Sequence, residues 1–243
     1  MKKILFAIMF IPFVSNAQLK GLINKAKDAA TEATGSTGSL SGSDIAGGLK
    51  EALNKGVTEQ VSKLTAVDGF YKNEAVKILL PDELQKVDKK LRQLGMSNLA
   101  DEGIKVLNRA AEDAVKEATP IFVNAITSMS FTDARNILMG DDRSATTYLE
   151  KTTSTQLYSK FNPVVKSSLS KVGADVVWEK IIKQYNSLPL VSDVNPDLND
   201  YVTDKAMDGV FKMIAVEEKD IRNNLSSRSS DLLKKVFALQ DNQ

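Results

Sequence analysis

The sequence predicts an all-α protein, a single globular domain of about eight to ten helices with no significant sheet. From Ile45 to Phe237, apolar residues recur every three or four positions, the spacing of helices that bury one face. Glycines and prolines divide this region into segments of helical length. Two short apolar runs, 78–80 and 188–194, lack that spacing. Each lies beside a proline, so we expect extended loops there and not strands.

The first half of the domain is predicted to contain two helices followed by a long helical stretch. The first helix ends at Asp68-Gly69. Pro81 opens a short helix that Gly95 closes, because proline is favoured in the first helical turn and glycine after the last. The stretch Ser97–Met129 follows, and Pro120 is expected to kink or break it because proline removes a backbone donor.

The second half is predicted to be helical as well. Ser130 and Asp133 have the spacing of a capping box, with Asp in place of the usual Glu or Gln, for a helix that stops at Gly140. Pro163 is expected to interrupt the next helix, and the single tryptophan, Trp178, is expected in the core. The remaining predicted helices are Asp142–Lys171, Asp175–Asn186, Asp197–Asn224 and Asp231–Leu239, the last capped by Ser229 or Ser230.

The first seventeen residues have the parts of a secretory signal peptide. Two lysines precede the apolar run Ile4–Val14, and small residues follow up to Ala17. The run is shorter than the roughly 20 residues that cross a bilayer as a helix. We therefore expect cleavage after Ala17 and export to a periplasm or out of the cell. Gln18, where a lipoprotein would have cysteine, argues against a lipid anchor, and we predict no transmembrane segment after it.

The rest of the chain divides by composition into three parts. Residues 18–43 form a weakly amphipathic segment followed by a flexible linker of Gly, Ser and Thr. The helical domain is expected to begin at Asp44, a favourable helix N-cap, and to extend to Leu239. Residues 240–243 form a short tail.

The absence of histidine and cysteine limits the chemistry. It excludes Ser-His-Asp and Cys-His catalysis, disulfides, and zinc or copper held by imidazole. We predict no cofactor and no metal, although a hard cation on oxygen ligands stays open. Without the signal peptide, 30 basic residues stand against 31 acidic ones, a balance that does not favour nucleic-acid binding.

The helix Asp197–Asn224 carries the most informative polar residues. Its apolar face covers more than half of the circumference, and Glu217 lies in the middle of it. A carboxylate there must be paired, hydrogen-bonded or protonated. The functional interpretation is a buried acid poised for ligand or proton chemistry. The favoured alternative is a structural ion pair with Arg109, Arg222 or a lysine.

Asp200, Asp204 and Asp208 form a row on the same helix. Like charges four residues apart repel unless they are neutralised, for which Lys205 is one candidate. A divalent cation is the sharper interpretation. A solvated or ion-paired face is favoured over it, because the histidine that usually completes such a helical metal site is absent.

Two further groups are candidates for ligand contacts. Asn108 lies at the edge of an apolar face, with Arg109 and Glu112 outside it; Arg109 suits a ligand carboxylate, but a salt bridge between helices is preferred. Thr146 follows the turn 140–144, where a helix N-terminus suits an anion. Ordinary capping by Asp is the alternative there.

Seven short pieces of the domain carry a resemblance to a known family. In order, they are Gly48–Leu53, Asp68–Phe70, Asn108–Glu112, Met129–Ala134, Ala145–Tyr148, Tyr201–Ala206 and Leu232–Phe237. With these pieces, the region from Gly47 to Phe237 resembles a family of bacterial exported proteins known as domain of unknown function 4197. The resemblance implies an exported, mostly helical protein, and it implies no activity.

Three functions stay open from the sequence. The leading hypothesis is a non-enzymatic exported domain that binds an envelope partner or a small ligand. The first alternative is a carboxylate-based hydrolase of envelope glycans, which needs two acids across a cleft, with Glu112, Asp204, Asp208 and Glu217 as candidates. The second is a purely structural helical protein without a cleft.

Overall fold

Eight α-helices and one short 3₁₀ helix, Leu225–Ser227, make up the regular structure of the part of the chain that the computed structural model describes, residues 41–93, 95, 97–171, 173, 178 and 197–241. They form a single multi-helix domain, and no strand occurs within these residues, which confirms the predicted all-α class. The predicted signal peptide, most of 18–43, the helix 175–186 except Trp178, and the run 188–194 lie outside them. The helices are α1 (Gly42–Thr65), α2 (Asp82–Gln93), α3 (Ser97–Val115), α4 (Ala118–Ser128), α5 (Phe131–Leu138), α6 (Ser144–Lys171), α7 (Asn199–Asn223) and α8 (Asp231–Asp241).

Helix α1 follows the predicted apolar stripe, which is buried from Leu49 to Leu64. It begins two residues before the expected cap, so Asp44 lies in its first turn. After α1, Asp68 adopts a left-handed backbone with φ of 69°. Gly69 then passes so close to the last turn of α1 that a Cβ atom on it would lie 2.4 Å from the carbonyl oxygen of Lys63. Glycine is required there by this close approach.

The stretch Ser97–Met129 is broken into α3 and α4, as predicted. The break falls at residues 116–117, ahead of Pro120, which therefore lies in the first turn of α4. A proline is tolerated in that turn because its missing N–H would have no partner within the helix. The capping box that opens α5 is also confirmed, since Ser130 and Asp133 exchange side-chain and backbone hydrogen bonds.

Helix α6 contradicts one prediction, because it continues through Pro163 for 28 residues without interruption. Proline inside a helix costs about 3 kcal/mol or more in lost hydrogen bonding and steric clash. Phe161, Val165 and Leu169 are buried on both sides of the proline, so packing of this face holds the helix together. Gly173, with φ of 65°, follows its last turn as predicted.

Helices α6 and α7 form the centre of the domain. They pack against each other and both pack against α3, while α1 packs against α7, α4, α5 and α8. Trp178 is buried and lies against Gly103 of α3, which confirms that it belongs to the core. None of the helices within the described residues is both long and apolar enough to cross a membrane.

Candidate functional site

The buried acid of α7 is Glu218 and not Glu217. Glu217 is half-buried against α1, where its carboxylate accepts a hydrogen bond of 2.5 Å from the Gln60 side chain. Glu218 is only 7% exposed and faces the beginning of α6. The expected ion pair with Arg222 exists, but Glu218 makes it, with 2.8 Å between Arg222 Nη2 and Glu218 Oε1.

Glu218 caps helix α6 across 72 residues of sequence. Its two carboxylate oxygens accept hydrogen bonds of 2.8 Å from the backbone N–H groups of Ala145 and Thr146, and the Thr146 hydroxyl donates a third. These N–H groups have no partner within the helix, and the helix dipole favours a negative charge beside them. The sequence left open a ligand anion or capping by Asp at the N-terminus of α6, and the structure places the carboxylate of Glu218 there.

Arg222 caps the C-terminus of α5, the helix that precedes α6. Its guanidinium donates to the carbonyl oxygens of Ile137 at 2.7 Å and Leu138 at 3.1 Å, the final residues of α5. A positive charge is favoured at a helix C-terminus. Glu218 and Arg222 therefore connect the end of α5 to the start of α6. Each charge is compensated by the other and by backbone groups at these helix ends. We call these two side chains the buried pair.

A second buried arginine, Arg228, was not singled out from the sequence. It is 2% exposed, donates to the carbonyl oxygens of Ile221 and Arg222, and pairs with Asp241 of α8. The hydrogen bond from Arg228 holds the pKa of Asp241 below its usual value. Arg228 sits between helices, where apolar periodicity gives no signal, so only the fold reveals it.

Asn108 of α3 fixes the loop 66–81 that follows α1. Its side-chain amide accepts from the backbone N–H of Ile78 and donates to the carbonyl of the same residue, both at 2.8 Å. It also donates to the carbonyl of Ile104 within α3. Asn108 is fully buried, and this pairing replaces the bonds that a neighbouring strand would give to Ile78.

Glu112 and Arg109 hold the other end of this loop, which corrects two predictions. Glu112 is only 4% exposed because the loop covers it, and it accepts from the backbone N–H of Phe70 at 3.1 Å. Arg109 pairs with Glu112 at 2.5 Å and with Asp68 of the loop at 2.6 Å, so its partners lie on its own helix and in a loop and not on a second helix. Lys72 and Arg109 lower the pKa of Asp68.

An open surface lined by polar and apolar residues lies between α6 and α7. It is a groove of about 670 Å³, which we call the acidic groove. Three carboxylates and one lysine face it, together with Met207 and Phe211 from α7. The lining residues are Glu150, Ser154, Tyr201, Asp204, Lys205, Met207, Asp208 and Phe211.

Asp204 has the unusual electrostatic position in the acidic groove. Lys205 pairs with Asp208 at 3.2 Å and Arg143 pairs with Glu150 at 2.9 Å, whereas Asp204 makes no hydrogen bond or ion pair with the described residues. Partial burial raises its pKa, and the negative charges of Asp200 and Asp208 raise it further, against a smaller lowering by Lys205. Asp204 therefore holds its proton more tightly than an isolated aspartate does.

Asp200 lies at the end of the same row and is held by α6. It accepts hydrogen bonds from the Tyr158 hydroxyl at 2.6 Å and from the Asn162 amide at 2.9 Å. Among the described residues, no group of three or more acidic side chains is arranged to hold a metal ion. The row is thus partly hydrogen-bonded and partly open to the groove.

The structure divides the candidate residues into three places. Asp204 and Asp208 meet in the acidic groove, with Glu150, which the sequence did not single out. Thr146 and Arg222 belong to the buried pair's network, and Glu217 contacts α1. Asn108, Arg109 and Glu112 hold the loop 66–81.

A family model for proteins of unknown function, DUF4197, matches residues 39–238. The chain belongs to the DUF4197 family. No curated protein and no solved structure matches it.

Two contacts explain several of the sequence pieces that carry the resemblance of this DUF4197 chain to its family. Gly48 packs so tightly on α8 that a Cβ atom on it would lie 2.6 Å from Val236 and 3.2 Å from Leu232. Gly209 of α7 meets the ring of Phe70 at the same hypothetical distance of 2.6 Å. These pieces thus join α1 to α8 and the loop 66–81 to α7, which is a packing role.

Proposed function

We propose that this DUF4197 chain is an exported, non-enzymatic domain that binds a ligand in the acidic groove. The observation that carries the proposal is the open groove itself, in which Asp204 has no partner among the described residues. The buried acids Glu112 and Glu218, by contrast, are hydrogen-bonded in contacts that the fold needs. A groove of this volume lies within the roughly 300–1,000 Å³ range of ligand sites.

Thermal-shift measurements on the purified protein test the binding site. The panel contains glycan fragments, peptides of either charge, nucleotides and divalent ions. A ligand of the folded state raises the melting temperature. The decisive variant is Ser154→Trp, which places a large side chain in the groove. Its matched control is Ser159→Trp, an exposed position on the same helix.

We expect a compound that stabilises the wild type and the Ser159→Trp variant but not the Ser154→Trp variant. A flat response to the whole panel contradicts the proposal. So does a compound that stabilises all three proteins equally, because its site then lies elsewhere.

Export has its own test. The apolar run Ile4–Val14 supports a signal peptide, so replacing Phe6 and Ile8 with glutamate is expected to keep the uncleaved chain inside the cell. Cell fractionation with an antibody against the domain measures this. Equal amounts of the wild type and the variant outside the cytoplasm contradict export by this segment.

The carboxylate hydrolase is the second candidate, because Asp204 and Asp208 share the groove. The raised pKa of Asp204 suits a general acid, and Asp208 or Glu150 would activate water. The test is release of reducing ends from envelope glycans. Activity that Asp204→Asn abolishes and Glu51→Gln preserves favours the hydrolase over the binding domain. Binding without turnover favours the binding domain.

A further inference from the structure

The lining of the acidic groove carries an excess of negative charge. Glu150, Asp204 and Asp208 face it, and Lys205 is the one cationic residue that lines it among the described residues. The Lys205–Asp208 pair is exposed, with both side chains about half or more accessible to solvent. Such pairs contribute little to stability, so an incoming cation can exchange with Lys205 at small cost.

The apolar part of the lining favours a particular kind of cation. Met207 presents carbon surface beside the carboxylates, whereas Phe211 is only 6% exposed and contributes little surface. Lysine and arginine side chains cover apolar surface with their methylene stems while the charged end reaches a polar partner. A bare metal ion uses no such surface, and the described residues hold no cluster of ligands for one.

The spacing of the row favours a polypeptide over a single amine. Asp200, Asp204 and Asp208 recur every four residues on α7, and each step rises about 6 Å along the helix. In an extended peptide, every second side chain points the same way, and these are roughly 6.6 Å apart. Two alternate cationic residues of an extended strand therefore match Asp204 and Asp208, the two carboxylates of the row that line the groove.

We infer that the acidic groove docks an extended segment of polypeptide that carries lysine or arginine at alternate positions. This inference rests on the proposed function and names the class of its ligand. The charge of the groove supplies the attraction, Asp204 and Asp208 set the register, and Met207 receives the side-chain stems.

A labelled peptide of alternating lysine and serine, six residues long, is the probe. Fluorescence anisotropy measures its affinity for the purified wild-type protein. The groove variant combines Asp204→Asn with Asp208→Asn. The matched control, Glu51→Gln with Glu59→Gln, also removes two charges, at exposed positions of α1, a helix that does not line the groove.

We expect the groove variant to weaken peptide binding roughly fivefold and the control pair to leave it unchanged, given the modest energy of exposed ion pairs. The Lys205→Gln variant is expected to bind the peptide about twofold to threefold more tightly, since it removes a competing cation. Added salt should weaken binding by screening. The peptide with acetylated lysines should not bind.

Other results overturn the inference. Equal affinity for the wild type and the groove variant places the peptide elsewhere, and spermidine binding as tightly as the peptide identifies a free polyamine as the ligand. If the peptide fails while a neutral or anionic compound is blocked by Ser154→Trp, the cationic class is wrong and the proposed function stands. If no probe is blocked by Ser154→Trp, both fall.

Discussion

The buried pair lies on α7, which also lines the acidic groove, and the two sites use their carboxylates in opposite ways. Glu218 accepts bonds from two backbone N–H groups, a hydroxyl and Arg222, so its charge is fully compensated. Asp204 faces an open groove beside two other aspartates of α7 without a partner among the described residues. An acid that stabilises the fold is therefore distinguished from one available to a ligand by its partners and not by its position on an apolar face.

The largest expected effect separates Glu218 from its neighbour. Glu218→Gln leaves Arg222 buried without a negative partner, and we expect it to lower the free energy of unfolding by about 3 kcal/mol. Urea denaturation at neutral pH measures this loss. The matched control, Glu217→Gln, weakens one hydrogen bond from Gln60 and should cost about 1 kcal/mol.

The stability losses of the two variants show which of the two glutamates is the compensated, buried acid. A larger loss for Glu217→Gln than for Glu218→Gln would restore Glu217 as the buried acid of α7. It would also remove the contrast between a compensated acid and an open one.

The second effect concerns the loop 66–81. Asn108→Ala leaves the N–H and carbonyl of Ile78 without their partner, so we expect a loss of about 2 kcal/mol. Hydrogen exchange at the Ile78 amide should accelerate together with the loss of stability. Asn124→Ala, at an exposed position of α4, is the control for the substitution itself. Unchanged exchange at Ile78 would show that Asn108 does not hold the loop.

The error over Glu217 shows what apolar periodicity can locate. The sequence placed the centre of the buried face of α7 from its apolar residues alone. Thr203, Glu218 and Arg222 are also buried there, because hydrogen bonds compensate their polarity. When these polar residues are included, the centre of the buried face shifts away from Glu217. The sequence of α7 alone does not indicate this shift, because it depends on partners in other helices.

Local signals predicted local features correctly. The capping box of α5 and the left-handed glycines after α2 and α6 depend on residues a few positions apart. The roles of Glu112 and Arg228 depend on segments that are distant in sequence or irregular in structure. The acidic groove forms only where α6 packs on α7. The sequence therefore identified Asp204 and Asp208 as candidates but could not show that they share a surface with residues of α6.

A third effect follows from the lowered pKa of Asp68. A carboxyl whose pKa is lower in the folded state stabilises the fold above its unfolded value of 3.8, and this contribution is lost as the pH falls through the folded pKa. We expect Asp68→Asn to be less stable than the wild type at pH 7, with the difference shrinking below pH 3.8. Denaturation at several pH values measures it. A difference independent of pH would contradict an ionic role for Asp68.

The smallest effect has the opposite sign. A raised pKa means that ionised Asp204 opposes folding at neutral pH, and this cost disappears below the unfolded value of 3.8. Asp204→Asn should therefore raise the free energy of unfolding at pH 7 by about 0.2–0.5 kcal/mol, the scale of repulsion between like charges on one helix. At pH 3.5 the two proteins should be equally stable, and Glu51→Gln should change little at either pH. If Asp204→Asn instead destabilises the protein at pH 7, Asp204 is compensated like Glu218, and the groove loses the free carboxylate on which the proposed binding depends.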